Sequence, residues 1–248
     1  MIKSDISEIV NKCYKYYGLS YPVDLYELSK RLSIKVLNTD LDSEGYFINK
    51  HGKLYILLRK NSIDDKRKRF TFAHEIGHAL LHADSSIIRV DANKDKYFNY
   101  TKELDTIEKQ ANYFASELLC PSKNLKKELP NRTLTFEFID RIADKYQISR
   151  QTAAIKCVEH SKTENELLIF YDENNEIRWY VSQDSELKYM DLPNDLANVE
   201  SFMEEYYDHL ELYDSYLVHG YGTTVLLSGI VNQDFYLNMS SWMIEMCS

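Results

Sequence analysis

The sequence lacks the cysteine pattern of a disulfide-stabilised protein. Its 248 residues contain four cysteines, at positions 13, 120, 157 and 247, and no two of them have CxxC spacing. Widely spaced cysteines are typical of reduced, mostly buried thiols, and we expect such thiols in a protein of the cytoplasm.

Long apolar runs are also missing, although hydrophobic residues make up 44% of the chain. The longest runs are too short to cross a bilayer, and residues 1–18 form an amphipathic pattern without the apolar core of a secretory signal. The sequence has no internal repeat and no low-complexity tract. We therefore expect a globular protein with no membrane partner, long enough for one large domain or two small ones.

Basic residues are scarce after residue 160, where three Lys or Arg stand against 17 Asp or Glu, a net charge of −14. Residues 1–160 hold 27 basic and 22 acidic residues, a net charge of +5. This asymmetry predicts a domain over residues 1–160 and a smaller acidic α+β domain over residues 161–248. The acidic surface disfavours nucleic acid and favours a protein partner or docking on the basic domain. We expect residues 161–248 to recognise that protein partner or to gate a cleft of the basic domain.

The apolar pattern predicts an α+β fold. A helical stripe ends at Gly18, a second helix starts at Pro22, and strands follow at 34–38 and 45–58 with a hairpin turn at 49–52. In the acidic part, the pattern predicts three strands and one acidic helix. The strands are predicted at 167–171, 177–182 and 224–231, and the helix near 194–213.

The chemistry of the first domain centres on the pentapeptide His74-Glu75-Ile76-Gly77-His78. Histidines four residues apart lie one turn apart on the same helix face, so both imidazoles can reach one metal ion. The glutamate beside the first histidine is the general base that metal-assisted hydrolysis requires. Apolar and small residues recur around the motif at steps of three and four, which predicts a buried, rigid helix.

Zinc needs a third protein ligand and an open position for water. His82 follows four residues later, but a straight helix places it about 12 Å from His74 along the axis, too far to share one ion. We therefore interpret His82 as a packed histidine or as one that orients a ligand.

The better candidate for the third ligand is Glu108, on the inward face of a predicted helix that ends near Pro121. Asn112 lies one turn later on the same side, where it can orient a ligand by a hydrogen bond. Glu103 and Glu117 are weaker candidates. A further donor is expected to stabilise the developing oxyanion. Tyr97, Tyr100 and Tyr113 are candidates, but the sequence has 20 tyrosines and favours none of them.

The stretches RFTFAHEIGHALLH and ExxANxFAxxLLxP together resemble the ImmA/IrrE family of zinc metallopeptidases, and the similarity covers residues 1–160. The resemblance implies a mostly helical, zincin-like metallopeptidase domain with a small β-sheet. Matched position by position, it implies His74, His78 and Glu108 as Zn²⁺ ligands and Glu75 as the catalytic base. It also implies an endopeptidase that cleaves a regulatory protein, a helix-turn-helix transcriptional repressor of a mobile element or a stress response.

Residues 138–159 form a second motif, which resembles a helix-turn-helix with a turn at Gln147-Ile148 and Ser149 capping the next helix. Arg150, Gln151 and Lys156 are then the candidate groove contacts. An ordinary helical pair is favoured, because the net charge of the chain is −9.

Two functions other than a peptidase remain open at this point. The first is a DNA-binding regulator that keeps zinc for structure or sensing, and the second is a non-catalytic module that sequesters a repressor. The first predicts salt-dependent DNA binding without a product fragment. The second predicts that the Glu75→Gln variant still inactivates the repressor.

Overall fold

The computed structural model describes residues 1–61, 65–83, 102–132, 134–162, 166–171, 177–182, 207–218 and 222–231. These ranges contain seven α-helices and two small β-sheets, which confirms the predicted α+β class. Contacts group the chain into two compact units, Met1–Ser122 with Ile142–Thr152 and Lys123–Arg141 with Ala153–Ser248. The division into domains 1–160 and 161–248 stays a prediction.

The first unit begins with helices α1 (Lys3–Tyr17) and α2 (Leu25–Arg31). α1 ends at Gly18, whose φ of 61° is in the left-handed region that glycine adopts without a Cβ penalty. α2 begins after Asp24, whose side chain accepts a hydrogen bond from the Glu27 backbone N–H at 2.9 Å. Because this cap satisfies a free N–H group of the first turn, the helix begins there and not at Pro22, as the sequence had indicated.

A three-stranded sheet follows, formed by β1 (Ile34–Thr39), β2 (Gly45–Lys50) and β3 (Lys53–Arg59) in the order β1-β3-β2. β1 is parallel to β3, and β2 is antiparallel to β3. The two residues between β2 and β3, His51 and Gly52, have φ values of 52° and 77°. Positive φ at both positions is characteristic of the type I′ hairpin turn, so the predicted turn is confirmed.

The long helices α3 (Asp65–Leu81) and α4 (Lys102–Leu119) pack against each other in the same unit. A Cβ atom on Gly77 would lie 3.0 Å from Phe114 Cδ1 and 3.3 Å from the Ala111 carbonyl oxygen. Glycine therefore permits the close approach of the two helices. The apolar side chains buried on these helices include Phe72, Ala73, Ile76, Ala111, Phe114, Ala115 and Leu118.

Three shorter helices follow: α5 (Ser122–Glu128), α6 (Phe136–Tyr146) and α7 (Arg150–Glu159). The turn between α6 and α7 falls where the sequence predicted it, with Gln147 at φ 53° and Ser149 Oγ accepting from the Thr152 backbone N–H at 3.1 Å. Arg150 and Gln151 are exposed. Lys156, expected as a groove contact, is only 4% exposed, so its side chain packs inside the fold and is not presented to a nucleic acid.

A second sheet contains β4 (Glu166–Tyr171), β5 (Ile177–Ser182), β6 (Tyr207–Val218) and β7 (Gly222–Val231) in the antiparallel order β5-β4-β7-β6. The prediction of an acidic helix near 194–213 is wrong for residues 207–213, which belong to β6. β6 pairs with β7 along its length, and this backbone pairing outweighs the acidic composition that favoured a helix. Residues 194–206 lie outside the described residues. Among the described helices, none is long and apolar enough to cross a membrane.

Candidate metal centre

α3 and α4 bring His74, His78 and Glu108 to one point. The Nε2 atoms of the two histidines are 2.9 Å apart. Glu108 Oε2 lies 3.2 Å from His74 Nε2, and Glu108 Oε1 lies 3.6 Å from His78 Nε2. Within the described residues these three form a group whose potential ligand atoms all lie within 4.8 Å of one another. The structure thus brings together the three residues that the sequence singled out as ligands.

The hydrogen bonds around His74 make this donor set suited to a cation. Its Nδ1 lies 2.9 Å from Oδ1 of Asn112. Because an amide oxygen can only accept, Nδ1 carries the ring hydrogen and Nε2 of a neutral His74 carries a lone pair. That lone pair faces His78 Nε2 and the Glu108 carboxylate, so the three groups repel one another unless a proton or a cation lies between them. Two imidazole nitrogens and one carboxylate are a ligand set found in catalytic zinc sites.

The pKa shifts in the metal-free protein show that a proton can take the position of the cation between these three groups. Contact with the ring of His74, and then with that of His78, holds the pKa of Glu108 well below its usual range, against the opposing effect of burial. Burial lowers the pKa of His74, but the hydrogen bond with Glu108 and the charges of Glu75 and Glu108 outweigh it, so the pKa is raised. A proton is therefore held where a cation would bind, and metal binding is expected to release it.

Glu75 is 7% exposed and lies beside the three converging groups. Burial raises the pKa of its carboxyl group, while the charges of His74 and His78 oppose this effect. The backbone N–H of Phe47 on β2 acts on the same carboxyl group and lowers its pKa. On the same strand, a Cβ atom on Gly45 would lie 3.3 Å from Glu75 Cγ and 2.6 Å from Thr71 Cγ2. The backbone of β2 thus lies against the glutamate, and the glycine leaves room for its side chain.

His82 does not join the three donors but contacts one of them. Its Nδ1 lies 3.2 Å from His78 Nδ1, and its Nε2 lies 2.9 Å from Gln110 Oε1. Burial lowers its pKa, and the side chain is 7% exposed. This geometry agrees with the interpretation of His82 as a packed histidine that contacts one of the predicted ligands.

The weaker candidates lie elsewhere or outside the described residues. Glu117 accepts hydrogen bonds from the backbone N–H and the hydroxyl of Ser122, so its carboxylate serves the junction between α4 and α5. The Tyr113 hydroxyl lies 3.0 Å from Ser7 Oγ on α1. Tyr97 and Tyr100 lie outside the described residues, as does the side chain of Glu103.

Sequence reasoning missed the contributions of Gly45, the Phe47 backbone and Gln110. Each acts across the fold, on a residue about 28 or more positions away, and helical or strand periodicity carries no signal for such a contact. The glycine that begins a strand was the one local sign of a close approach.

Comparisons with known proteins identify a metallopeptidase domain. The family model of the IrrE N-terminal-like domain, a peptidase domain, matches residues 29–158. The chain is 32% identical over 129 residues to the metallopeptidase ImmA of Bacillus subtilis (strain 168), an alignment that covers 50% of this chain and 69% of that protein. It is 32% identical over 122 residues to the uncharacterized immunity region protein 2 of Bacillus phage phi105, covering 47% and 68% of the two chains.

Among solved structures, a Mycobacterium tuberculosis transcriptional regulator has a similar fold, with a TM-score of 0.58 and 12% sequence identity. The similarity covers 92% of this chain and 76% of the regulator. At this level of identity the similarity concerns the fold alone.

Proposed function

The chain belongs to the IrrE N-terminal-like family of metallopeptidases, and from this premise we propose that it is a zinc-dependent endopeptidase that cleaves a regulatory protein. The proposed substrate is a helix-turn-helix transcriptional repressor of a mobile element or a stress response. The observation that carries the proposal is the convergence of His74, His78 and Glu108 beside the buried Glu75.

In this proposal, His74, His78 and Glu108 hold the metal ion. The donor set favours zinc, which binds imidazole and carboxylate ligands and leaves a fourth position open in catalytic sites. A bound zinc ion supplies Lewis acidity, which polarises a carbonyl group and acidifies a water molecule.

Glu75 is the proposed general base and, later, the proposed general acid. It takes a proton from the attacking water and gives it to the nitrogen of the leaving amine when the peptide bond breaks. The backbone of β2 at Gly45 and Phe47 lies beside this carboxylate, and the Phe47 N–H favours its charged form. Burial raises the pKa of Glu75, which makes its carboxylate a stronger base for taking up a proton.

The position of β2 supports an extended substrate. β2 is at the edge of the three-stranded sheet and contacts α3, and within the described residues it pairs only with β3. We propose that the substrate adds to this edge as a further strand, so that its backbone is held by main-chain hydrogen bonds beside Glu75.

The assignment of the substrate class rests on the relatives. One is named for a phage immunity region and the other as a metallopeptidase, which together support an immunity repressor as the target. A repressor of this kind acts on DNA in the cytoplasm, and we propose that its cleavage takes place there. The acidic residues 161–248 are the proposed determinant of partner choice.

The test is incubation of the purified, zinc-loaded protein with candidate repressors encoded near it, followed by intact-mass analysis. We expect two fragments whose masses sum to the repressor plus one water. Glu75→Gln is expected to retain zinc and to yield no fragments. Glu8→Gln, at an exposed carboxylate on α1, is the control that should cleave normally.

Other outcomes of this experiment would support one of the two alternative functions. Inactivation of the repressor by Glu75→Gln without fragments indicates a sequestering module. Salt-dependent binding to a specific DNA sequence, without fragments from any repressor, indicates a DNA-binding regulator. A wild-type protein that binds no zinc contradicts the proposal at its first step.

A further inference from the structure

A chain of hydrogen bonds runs from the carbonyl oxygen of Met1 to the ring of His78. The side-chain amide of Gln110 donates from Nε2 to the Met1 carbonyl oxygen at 2.9 Å. Gln110 Oε1 lies 2.9 Å from His82 Nε2, and His82 Nδ1 lies 3.2 Å from His78 Nδ1. Both rings are buried, with exposed fractions of 7% for His82 and 5% for His78.

The direction of each hydrogen bond follows from its first member. A carbonyl oxygen can only accept, so the NH₂ group of Gln110 must face Met1 and its oxygen must face His82. His82 Nε2 is then the donor, which leaves His82 Nδ1 as the acceptor in the neutral ring. His78 Nδ1 must therefore donate, and the hydrogen of the neutral His78 ring is on Nδ1.

This order leaves the lone pair of His78 on Nε2, the nitrogen that faces His74 and Glu108. We propose that His82 and Gln110 are positioning residues that hold His78 in the tautomer and orientation required for metal binding. The inference rests on the proposed metallopeptidase function and extends it to residues outside the ligand set. Helix α4 then provides one ligand, Glu108, and both of the amide side chains that orient the histidines, Asn112 and Gln110.

Packing alone does not account for this arrangement. An apolar side chain would fill a buried position at 82 without leaving polar atoms to satisfy, whereas His82 has a partner at each ring nitrogen. The two ligand histidines are oriented in the same way, each by an acceptor at Nδ1, although the acceptors belong to different residues. Hydrogen bonds of this kind fix the ring and raise the basicity of the ligand nitrogen.

The first test is nitrogen NMR of the metal-free protein with ¹⁵N-labelled histidine. We expect His78 to be protonated at Nδ1 and not at Nε2, and His82 to be protonated at Nε2. In His82→Leu, which keeps an apolar group of similar size, His78 is expected to populate both tautomers. A wild-type His78 that carries its hydrogen on Nε2 overturns the inference, whatever the protein does with metal.

The second test is zinc affinity, measured by competition with a chelating dye. Loss of an orienting partner typically costs about 10- to 100-fold in metal affinity, and we expect losses in this range for His82→Leu and Gln110→Leu. His82→Gln should restore much of the affinity, because its amide oxygen can accept from His78 Nδ1. Gln110→Glu should bind better than Gln110→Leu, because it retains an acceptor for His82.

Two controls separate this inference from the proposed function. Glu8→Gln should bind zinc as the wild type does, and thermal unfolding of each metal-free variant identifies those that fail to fold. Wild-type affinity in His82→Leu, together with an unchanged His78 tautomer, overturns the inference and leaves the proposed function intact. Equal zinc binding by the wild type and His78→Ala contradicts the proposed function, while the NMR measurement still tests the tautomers.

Discussion

Tyr14 shows how one side chain completes the end of a helix. Its hydroxyl on α1 donates to the Leu118 carbonyl oxygen at 2.6 Å, in the last turn of α4. Carbonyl groups in a last turn have no partner within their own helix, so the tyrosine supplies a hydrogen bond that α4 needs. Burial, followed by the neighbouring Tyr21, raises the pKa of Tyr14 far above its ordinary value.

We expect Tyr14→Phe to lower the free energy of unfolding by about 1–2 kcal/mol, because the carbonyl group of Leu118 loses its partner. Urea unfolding at neutral pH measures the difference. Tyr16→Phe is the control, because the Tyr16 side chain is 82% exposed and its loss should change the stability little. Equal stabilities of wild type and Tyr14→Phe would contradict the capping role.

The raised pKa of Tyr14 predicts that the stability of the protein depends on pH in the alkaline range. The folded-state pKa of Tyr14 is raised above the unfolded value, so its contribution is complete below about pH 10 and is lost as pH rises further. Above this pH the contribution should fall by ~1.4 kcal/mol per pH unit until the folded-state pKa is reached. The stability difference between wild type and Tyr14→Phe, measured at rising pH, should therefore shrink. A difference in stability that stays constant as the pH rises would contradict this prediction.

At the scale of elements, the contact between α3 and α4 depends on Gly77. Alanine is favoured over glycine in a helix by about 1 kcal/mol, so Gly77→Ala would stabilise an isolated helix. In the protein, the new Cβ atom would lie 3.0 Å from Phe114 Cδ1 and 3.3 Å from the Ala111 carbonyl oxygen. Overpacking of this kind costs about 1–3 kcal/mol, so the two effects oppose each other.

We expect overpacking to win, with Gly77→Ala lowering the free energy of unfolding by up to about 2 kcal/mol. Denaturant unfolding of the metal-free protein gives the value. The double variant Gly77→Ala with Phe114→Leu, compared with Phe114→Leu alone, should show a smaller loss, because the closest atom has moved. An increase in stability in the single variant would mean that the helices can shift apart freely.

The contact between β2 and α3 is equally specific at Gly45. In Gly45→Ala the new Cβ atom would lie 2.6 Å from Thr71 Cγ2, a distance that forces a movement. We expect a loss of stability of about 1–3 kcal/mol and a loss of activity, since Glu75 lies next to the same atom. Adding Thr71→Ser removes the clashing methyl group and should recover most of the stability, as a double-mutant cycle measures. Additive effects would show that the two residues do not interact.

The sequence predicted those parts of the site that depend on local geometry. His74 and His78 are one helical turn apart by their spacing, and Glu108 with Asn112 follows the same rule on α4, so their faces were predictable. Gly45, Phe47 and Gln110 were not, because their contacts depend on how separate elements pack. The error at residues 207–213 has a similar cause: strand β6 exists through its pairing with β7, which composition does not encode.

At the scale of the whole molecule, metal binding is expected to add to the stability of the fold. A ligand that binds only the folded state stabilises it by about 4 kcal/mol at a concentration 1,000 times its dissociation constant. We therefore expect zinc to raise the thermal midpoint followed by far-ultraviolet circular dichroism, and a chelator to reverse the change. His78→Ala should show no zinc-dependent shift. An equal shift in that variant would place the binding elsewhere.

Because the three donor residues lie on two helices, we expect an effect on the rate at which a bound metal ion leaves. His74 and His78 belong to α3 and Glu108 belongs to α4, so one ion would join two elements that are distant in the chain. Departure of the ion then requires the Glu108 carboxylate to swing away or the helices to separate, and separation of the helices disturbs the packing at Gly77. The rate at which a chelator strips the metal should consequently become independent of chelator concentration, because it is limited by an opening motion of the protein.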